Sequence, residues 1–471
     1  MARRRRYTPP FDLHIVDLAP GGLGRGVHEE TPVVVRGAPP GAVVQVAPFR
    51  RKKGVLHGRR MAMVTPPSDA VTPPCPVFGL CGGCTLQELP LETQRAAREV
   101  MALEALGDLS GVTVRPIVGD TQAYGYRNKV ELSYGVRRYL SEADHAEGLP
   151  IDGAFLGFHA PGRFDRVVDA PGCELVPPGL NAVIAGARAA LAGSAFAPWD
   201  VKEHTGFWRH LVLRETSTGQ RMVALYTAPP PEGQEDAARA EIAALAASLE
   251  DVRGFGWFVN AGVADVARGE LRELLRGALS IEEQLRRADG SVARYQLSQT
   301  SFFQTNTAGA EVLYQRIGEL AGAGAGGGRL LDLYCGTGAI GLYLSDRFSS
   351  VLGVEINPEA VENARANAAL NEVENATYLC GPVEDHVGAL GSGDVVVVDP
   401  PRPGLHPRAS AWLAQLEAPR LVYVACKPSS LARDRAILEA GRWRMVEVGA
   451  VDLFPQTGHI ELVAAFEPEE G

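Results

Sequence analysis

RLLDLYCGTGAIGLYLS, residues 329–345, joins an apolar run ending near an acid, a turn at Gly336 and Gly338, and a stretch with helical apolar spacing. It reads as a buried strand, a glycine turn and an amphipathic helix. Glycines at such a turn let a ligand approach the backbone, because no Cβ stands in the way. By itself a Gly-x-Gly turn also suits a dehydrogenase or a chance loop. The segment that follows, SSVLGVEINPEAVENARANAALN, supplies a second strand ending in Glu355, about twenty residues after the turn, where a carboxylate can accept the two hydroxyls of a ribose.

Further along, a third strand ends near Cys380, the polar loop GPVEDHV follows, and DVVVVDPPRPGLH places Asp399 before a Pro-Pro pair at the end of a very apolar strand. Open α/β sheets bind ligands at the carboxyl ends of such strands. Strand, glycine turn, ribose acid and Asp-Pro-Pro in this order resemble class I S-adenosylmethionine methyltransferases more than dehydrogenases. For single residues plainer roles stay open: Tyr334 as core filling and Glu384 as a solvated loop acid.

LVYVACKPSSLARD, residues 421–434, is a fourth buried strand running into Cys426, which therefore faces the same crevice as Asp399. A pyrimidine is not nucleophilic at carbon 5, so methylation there needs covalent help. A thiolate can add to carbon 6, and a base must later remove the carbon 5 proton. DLFPQTGHIELV offers that base as Glu461 or His459 on the last strand. Taken singly, Cys426 is equally a core cysteine and Glu461 a strand-end acid. The cofactor motif on the same sheet favours the catalytic reading.

YCGTG, VDPPRPG, the Cys426 segment and FPQTGHIE together resemble the RNA 5-methyluridine methyltransferase family, as does the Phe-Gln-x-Asn signature within SFFQTNTAGAEVLY. The likeness spans nearly the whole chain. It implies S-adenosylmethionine contacts at Gln304, Tyr334, Gly336, Gly338, Ala339, Glu355 and Asp399, with Cys426 as nucleophile and Glu461 as base. Phe303 is expected near the target base. One departure is Ala-Cys-Lys-Pro in place of the family's Ser-Cys-Asn-Pro, so Lys427 stands where an amide is usual.

Upstream, Cys75, Cys81 and Cys84 lie in CPVFGLCGGC and Cys173 in DAPGCELVP. Three cysteines close in sequence with a distant fourth suit a four-iron cluster better than zinc, whose ribbons usually show two matched Cys-x-x-Cys knuckles. Ribosomal-RNA members of the resembled family bind a [4Fe-4S] cluster with this spacing, which implies the same ligands here. Cys335 and Cys380 are expected to be buried structural thiols.

The net charge of -10 hides an asymmetry: residues 1–64 carry 12 Lys plus Arg against 4 Asp plus Glu. The positive charges concentrate in Arg3 to Arg6, in the run Arg50, Arg51, Lys52 and Lys53, and in Arg59 and Arg60. Such runs are either solubilising surface or a nucleic-acid footprint. Alternating apolar residues with Gly and Pro punctuation predict a five-stranded OB-like β-barrel over 7–64. The family's ribosomal members begin with a TRAM barrel, whereas its bacterial transfer-RNA members generally lack both barrel and cluster. The resemblance therefore implies RNA as partner, with 23S ribosomal RNA favoured over transfer RNA.

The expected architecture is α/β: a TRAM barrel over 7–64, a central α+β RNA-binding domain with the cluster over 65–290, and a class I, Rossmann-like methyltransferase domain over 291–471. A helix near 90–107 is expected to pack on the catalytic domain, and Arg127, Asn128 and Lys129 in GYRNKVELSYG match a family segment associated with RNA binding. A 5-methylcytosine enzyme would place a cysteine after a proline where Asp399-Pro400-Pro401 stands. Adenine amine methylation would follow Pro-Pro with an aromatic residue, where Arg402 stands. A non-catalytic RNA-binding assembly factor would not need Cys426 and Glu461 intact. No apolar stretch of about 18 residues occurs and no apolar region follows the N-terminal arginines, so the expectation is a soluble, cytoplasmic chain. No membrane or protein partner is implied, and a monomer is expected.

Overall fold

The computed structural model describes residues 9–120, 122–322, 327–390 and 395–469; the Arg3 to Arg6 run lies outside them. No helix among the described residues is long and apolar enough to cross a membrane.

The N-terminal part forms six strands, Phe11–His14, Asp17–Ala19, Leu23–His28, Thr31–Arg36, Val43–Lys52 and Val55–Thr65. In the sheet the first of these lies at one edge and the second at the other. Only Ile15 and Val16 separate them in sequence, so the sheet must roll up to bring its edges together. Ile15 N–H donates to Ala42 and Val16 N–H to Arg25, which carries the chain from one edge to the other. This switch divides a segment that reads as one strand, giving six strands rather than five. Leu13, Ile15, Val33, Val35, Val44 and Val46 fill the interior.

The middle of the chain builds a seven-stranded sheet in the order Val167–Asp169, Asp152–His159, Lys129–Arg137, Trp208–Glu215, Arg221–Thr227, Val252–Val259 and Glu270–Gly277. Helices Pro178–Ala192 and Glu235–Ser248 bury Leu180, Ile184 and Ile242 in a core shared with Trp208, Leu211, Phe255 and Trp257. Full burial of such side chains stabilises by roughly 1.5–3 kcal/mol each.

The catalytic sheet has eight strands, in the order Ala376–Cys380, Ser350–Glu355, Arg329–Leu333, Val395–Val398, Arg420–Ala425, Glu461–Pro468, Trp443–Asp452 and Thr113–Gly119. The first five are mutually parallel, and Glu461–Pro468 runs antiparallel to its neighbours. Its central parallel strands, Val395–Val398 and Arg420–Ala425, are apolar and buried beyond Arg420, as strands covered on both faces are.

Two boundaries differ from the sequence division. Thr113–Gly119, placed with the central segment by sequence, pairs with Trp443–Asp452 as an edge strand of the catalytic sheet. The limit at 290 falls inside the hairpin Ser280–Arg286/Val292–Ser298, whose Ile281, Leu285, Ala293 and Tyr295 pack into the catalytic core. A helix does form within 90–107, as Leu91–Glu104. Its Met101 and Ala102 join the core of the catalytic sheet.

Candidate functional site

Residues 329–345 form the predicted strand, glycine turn and helix. Asp332, fully buried, accepts the Gly341 N–H at 2.8 Å and so ties the strand to the start of the helix beyond the turn. Burial pushes its carboxyl up to about 7, with Glu355 adding to the effect. Tyr334 has a left-handed φ of 65°, a strained conformation for a residue with a Cβ. Glu355 accepts Gly336 N–H at 3.1 Å and Asn357 N–H at 2.8 Å, which aims the carboxylate across the turn.

A cleft of about 1110 Å³ opens at the carboxyl ends of the parallel strands. Gln304, Tyr334, Gly336, Glu355, Asp399, Cys426 and Glu461 all line it. Gly338 and Ala339 do not stand among its lining residues. A Cβ on Gly338 would meet the Tyr378 hydroxyl at 2.9 Å, so this glycine serves helix–sheet packing. Ala339 is buried, and its carbonyl accepts the Tyr295 hydroxyl. Thr337 lines the cleft between them.

The chemistry gathers at one end of the cleft. Ala425 pairs with Leu462 in antiparallel register, so the next positions outward, Cys426 and Glu461, face each other. Burial, then Glu461 and Asp399, push the Cys426 thiol up to about 11, while Arg402 opposes the rise. Burial and Asp399 hold Glu461 well above the ordinary carboxylate range, again opposed by Arg402. Asp399 is raised to about 7, mainly by burial and then by Asp332. Arg402, read from sequence only as the residue after Pro-Pro, thus places a positive charge beside Cys426 and Glu461. Its one sequence signal was that position in VDPPRPG.

Other side chains fall differently from expectation. Phe303 is 3% exposed and packs on Tyr295, and Phe302 is 72% exposed; both line the cleft. Glu384 lines the cleft and pairs with His406 at 3.1 Å. His459, the other candidate base, lines a second cavity. Cys335 is buried as expected, but Cys380 is exposed, because its strand is at the sheet edge.

This second cavity, of about 450 Å³, lies against the first, and Thr305, Arg402, Cys426, Phe454 and Glu461 line both. Cys75, Cys81, Cys84 and Cys173 line it as well, all half-buried and none in a disulfide. Burial raises all four thiols, Cys81 to about 11 and Cys84 to about 12, and the nearby thiols add to the rise at Cys75, Cys81 and Cys84. Among the described residues no group of three or more His, Cys, Asp or Glu is set to hold a metal ion. Arg127 also faces this cavity. Asn128 instead is buried, donating to the Gln304 carbonyl and Thr307, and burial with Arg214 lowers Lys129 to about 8.

Residues 240–467 match the family described as tRNA (Uracil-5-)-methyltransferase. An uncharacterized RNA methyltransferase of Chlorobaculum tepidum is 34% identical over 443 residues, covering 92% of this chain and 90% of the relative. One from Clostridium acetobutylicum is 32% identical over 98% of both chains. The crystal structure of Pyrococcus abyssi tRNA (uracil-54, C5)-methyltransferase with S-adenosyl-L-homocysteine superposes with a TM-score of 0.73 at 27% identity, covering 97% of this chain and 100% of that one. A cleft at the strand ends with a carboxylate held across the glycine turn, joined to relatives of nearly equal length, has one reading: the chain belongs to the S-adenosylmethionine-dependent RNA uracil-5-methyltransferase family.

Proposed function

We propose that the protein methylates carbon 5 of a uridine in 23S ribosomal RNA, with Cys426 as covalent nucleophile and Glu461 as base. The observation that carries the mechanism is the shared wall: Cys426 and Glu461 line both cavities, so cofactor and uracil can reach them from opposite sides. S-adenosylmethionine, when bound, supplies a methyl group on a sulfonium. Gln304, Tyr334, Gly336, Glu355 and Asp399 are the residues that hold it.

The Cys426 thiol gives up its proton to solvent, its sulfur adds to uracil carbon 6, and the displaced π electrons make carbon 5 nucleophilic. After carbon 5 has taken the methyl group, Glu461 withdraws its proton. Those electrons restore the ring double bond and expel the Cys426 thiolate. A carboxylate raised by burial is matched to proton transfer near neutral pH.

The ribosomal substrate rests on two N-terminal features. The rolled sheet carries Arg50, Arg51, Lys52 and Lys53 exposed at the end of its longest hairpin, as a TRAM barrel that binds RNA would. Cys75, Cys81, Cys84 and Cys173 line one cavity free of disulfides, and the close spacing of the first three with a distant fourth supports an all-sulfur [4Fe-4S] cluster as what they would hold. There the cluster would join the 75–84 segment to Cys173 of the middle domain.

Transfer RNA is a second reading with its own support. The archaeal relative, a transfer-RNA enzyme by name, is covered over its whole length, N-terminal part included. Mapping 5-methyluridine in both RNAs from cells with and without the gene decides between them; loss of a 23S site supports the first reading, and loss only in transfer RNA overturns it. The covalent step is tested with 5-fluorouridine RNA and cofactor, since fluorine cannot leave as a proton does. A protein–RNA adduct lost in Cys426→Ala is expected; methylation without any adduct overturns the mechanism.

A further inference from the structure

Glu461 is preceded by the loop Phe454–His459, and four separate parts of the chain grip that loop. From the rolled N-terminal sheet, Gly22 packs backbone to backbone on Gly458: a Cβ on Gly22 would stand 2.4 Å from the Gly458 Cα. From the cysteine segment, the Thr85 and Leu86 N–H groups donate to the Gln456 carbonyl at 2.9 and 3.1 Å. From the middle domain, the Tyr126 hydroxyl donates to the Pro455 carbonyl at 2.8 Å.

Helix Leu91–Glu104 provides the fourth and most extensive grip. Its Gln94 exchanges two hydrogen bonds with Gln456, which itself sits at a left-handed φ of 71°. Arg98, fully buried, donates to the carbonyls at both ends of the loop, Phe454 at 3.2 Å and His459 at 3.1 Å. It also pairs with buried Asp452 at 2.7 Å, where the preceding strand ends, and Arg95 takes the other Asp452 oxygen at 2.9 Å. All three contacts are made by one nitrogen, Nη1, while Nε donates to the Gln94 carbonyl at 3.2 Å, so one arm of the guanidinium is fixed to its own helix and another holds the loop, a geometry that a single ammonium does not reproduce.

Stability alone does not account for two arginines buried on one aspartate, since apolar side chains commonly do as well. The arrangement does fix the loop at its two ends, and the second end leads through Ile460 into Glu461. We propose that Arg98, with Gln94 and Tyr126 in support, is a positioning residue for the carboxylate that removes the carbon 5 proton. This rests on the reading of Glu461 as base. Arg98 touches neither cleft; it acts through the Phe454–His459 loop.

The consequence is a specific kinetic defect. Thiol addition and methyl transfer depend on Cys426 and the cofactor cleft, whereas release of the methylated product depends on Glu461. A displaced Glu461 therefore leaves the enzyme covalently attached to methylated RNA. The test uses the full chain with ordinary uridine RNA and S-adenosylmethionine, comparing Arg98→Lys, Tyr126→Phe and Glu461→Gln. Arg98→Lys is expected to lower turnover roughly 10- to 100-fold, the scale of a misplaced catalytic group, while trapping on 5-fluorouridine RNA stays within about twofold. Covalent adduct on ordinary uridine RNA is expected to accumulate, as in Glu461→Gln. Tyr126→Phe, which removes one hydroxyl and no charge, is expected to shift in the same direction by less, and it carries the test if Arg98→Lys fails to fold.

If Glu461→Gln accumulates adduct but neither Arg98→Lys nor Tyr126→Phe does, the positioning role is overturned and the base assignment stands. Parallel loss of turnover and of 5-fluorouridine trapping in Arg98→Lys also overturns it, because a general folding defect would act on both. If Glu461→Gln turns over normally, the base assignment falls and the role of Arg98 with it.

Discussion

Cys426 and Glu461 stand opposite one another, one position beyond the Ala425–Leu462 pair, although 35 residues of chain separate them. Antiparallel register alone makes the meeting. Burial and the neighbouring carboxyls raise both groups, the Cys426 thiol to about 11.

The first expectation concerns Cys426 itself. With its thiol pushed up to about 11, the thiolate fraction should rise about tenfold per pH unit through the neutral and mildly alkaline range. Alkylation of Cys426 by iodoacetamide, followed by peptide mass spectrometry between about pH 7 and 9, should show that rise without a plateau. A plateau near pH ~8 would mean a thiolate already activated by the protein.

Glu461 should make the native state pH-sensitive. Its native pKa lies above its unfolded value, so its contribution to stability is fully present below the unfolded pKa and is lost as pH rises. Glu461→Gln should therefore melt like the parent near pH ~4 and above it at about pH 7–8, gaining up to about 1.4 kcal/mol per pH unit across that window. Thermal melts across that range check the sign, and a loss of stability at neutral pH would contradict it.

Glu355 is held by two backbone N–H groups at the glycine turn, ready to accept ribose hydroxyls. Glu355→Gln should weaken S-adenosylhomocysteine binding by about 1.5–3 kcal/mol, the scale of hydrogen bonds to a charged group. Titration calorimetry checks this. Gly338→Ala should instead lower stability, because the residue has a φ of 76° and the new methyl would press on Tyr378.

The four clustered thiols predict iron. Anaerobically purified protein should be brown, absorb near ~400 nm and contain iron as thiolate-bound clusters do. Changing Cys84 to Ser should remove the colour. Stoichiometric zinc without iron would reject the cluster.

The basic hairpin should be tested by charge and not by truncation. Reversing Arg50, Arg51, Lys52 and Lys53 to Glu should weaken RNA binding and flatten its salt dependence, by roughly 0.7 in slope for each single-strand phosphate no longer neutralised. Removing residues 1–64 would also pull Gly22 from Gly458, so its effect would mix binding with catalysis. Unchanged binding after charge reversal would make the hairpin a solubility feature.

Some of this molecule follows from short stretches of sequence. The strand–turn–helix at 329–345 and the end-of-strand placing of Glu355, Asp399 and Cys426 each depend on neighbours within a few residues, where periodicity and turn chemistry are legible. The burial of Phe303 was not, since Phe302 and Phe303 stand in one irregular loop and only packing on Tyr295 decides which is buried. Nor was the packing role of Gly338, where a Cβ would meet Tyr378 and Ala364 across the fold.

What the sequence by itself determined, then, is the set of chemical groups and the strand ends that carry them. The tertiary structure decided which groups meet: Glu461 with Cys426 through register, Thr113–Gly119 with the catalytic sheet, and Arg98 with the loop more than 350 residues away. Such meetings leave no spacing signal, because they arise from long-range pairing and from burial of charges that are stable only once every partner is in place.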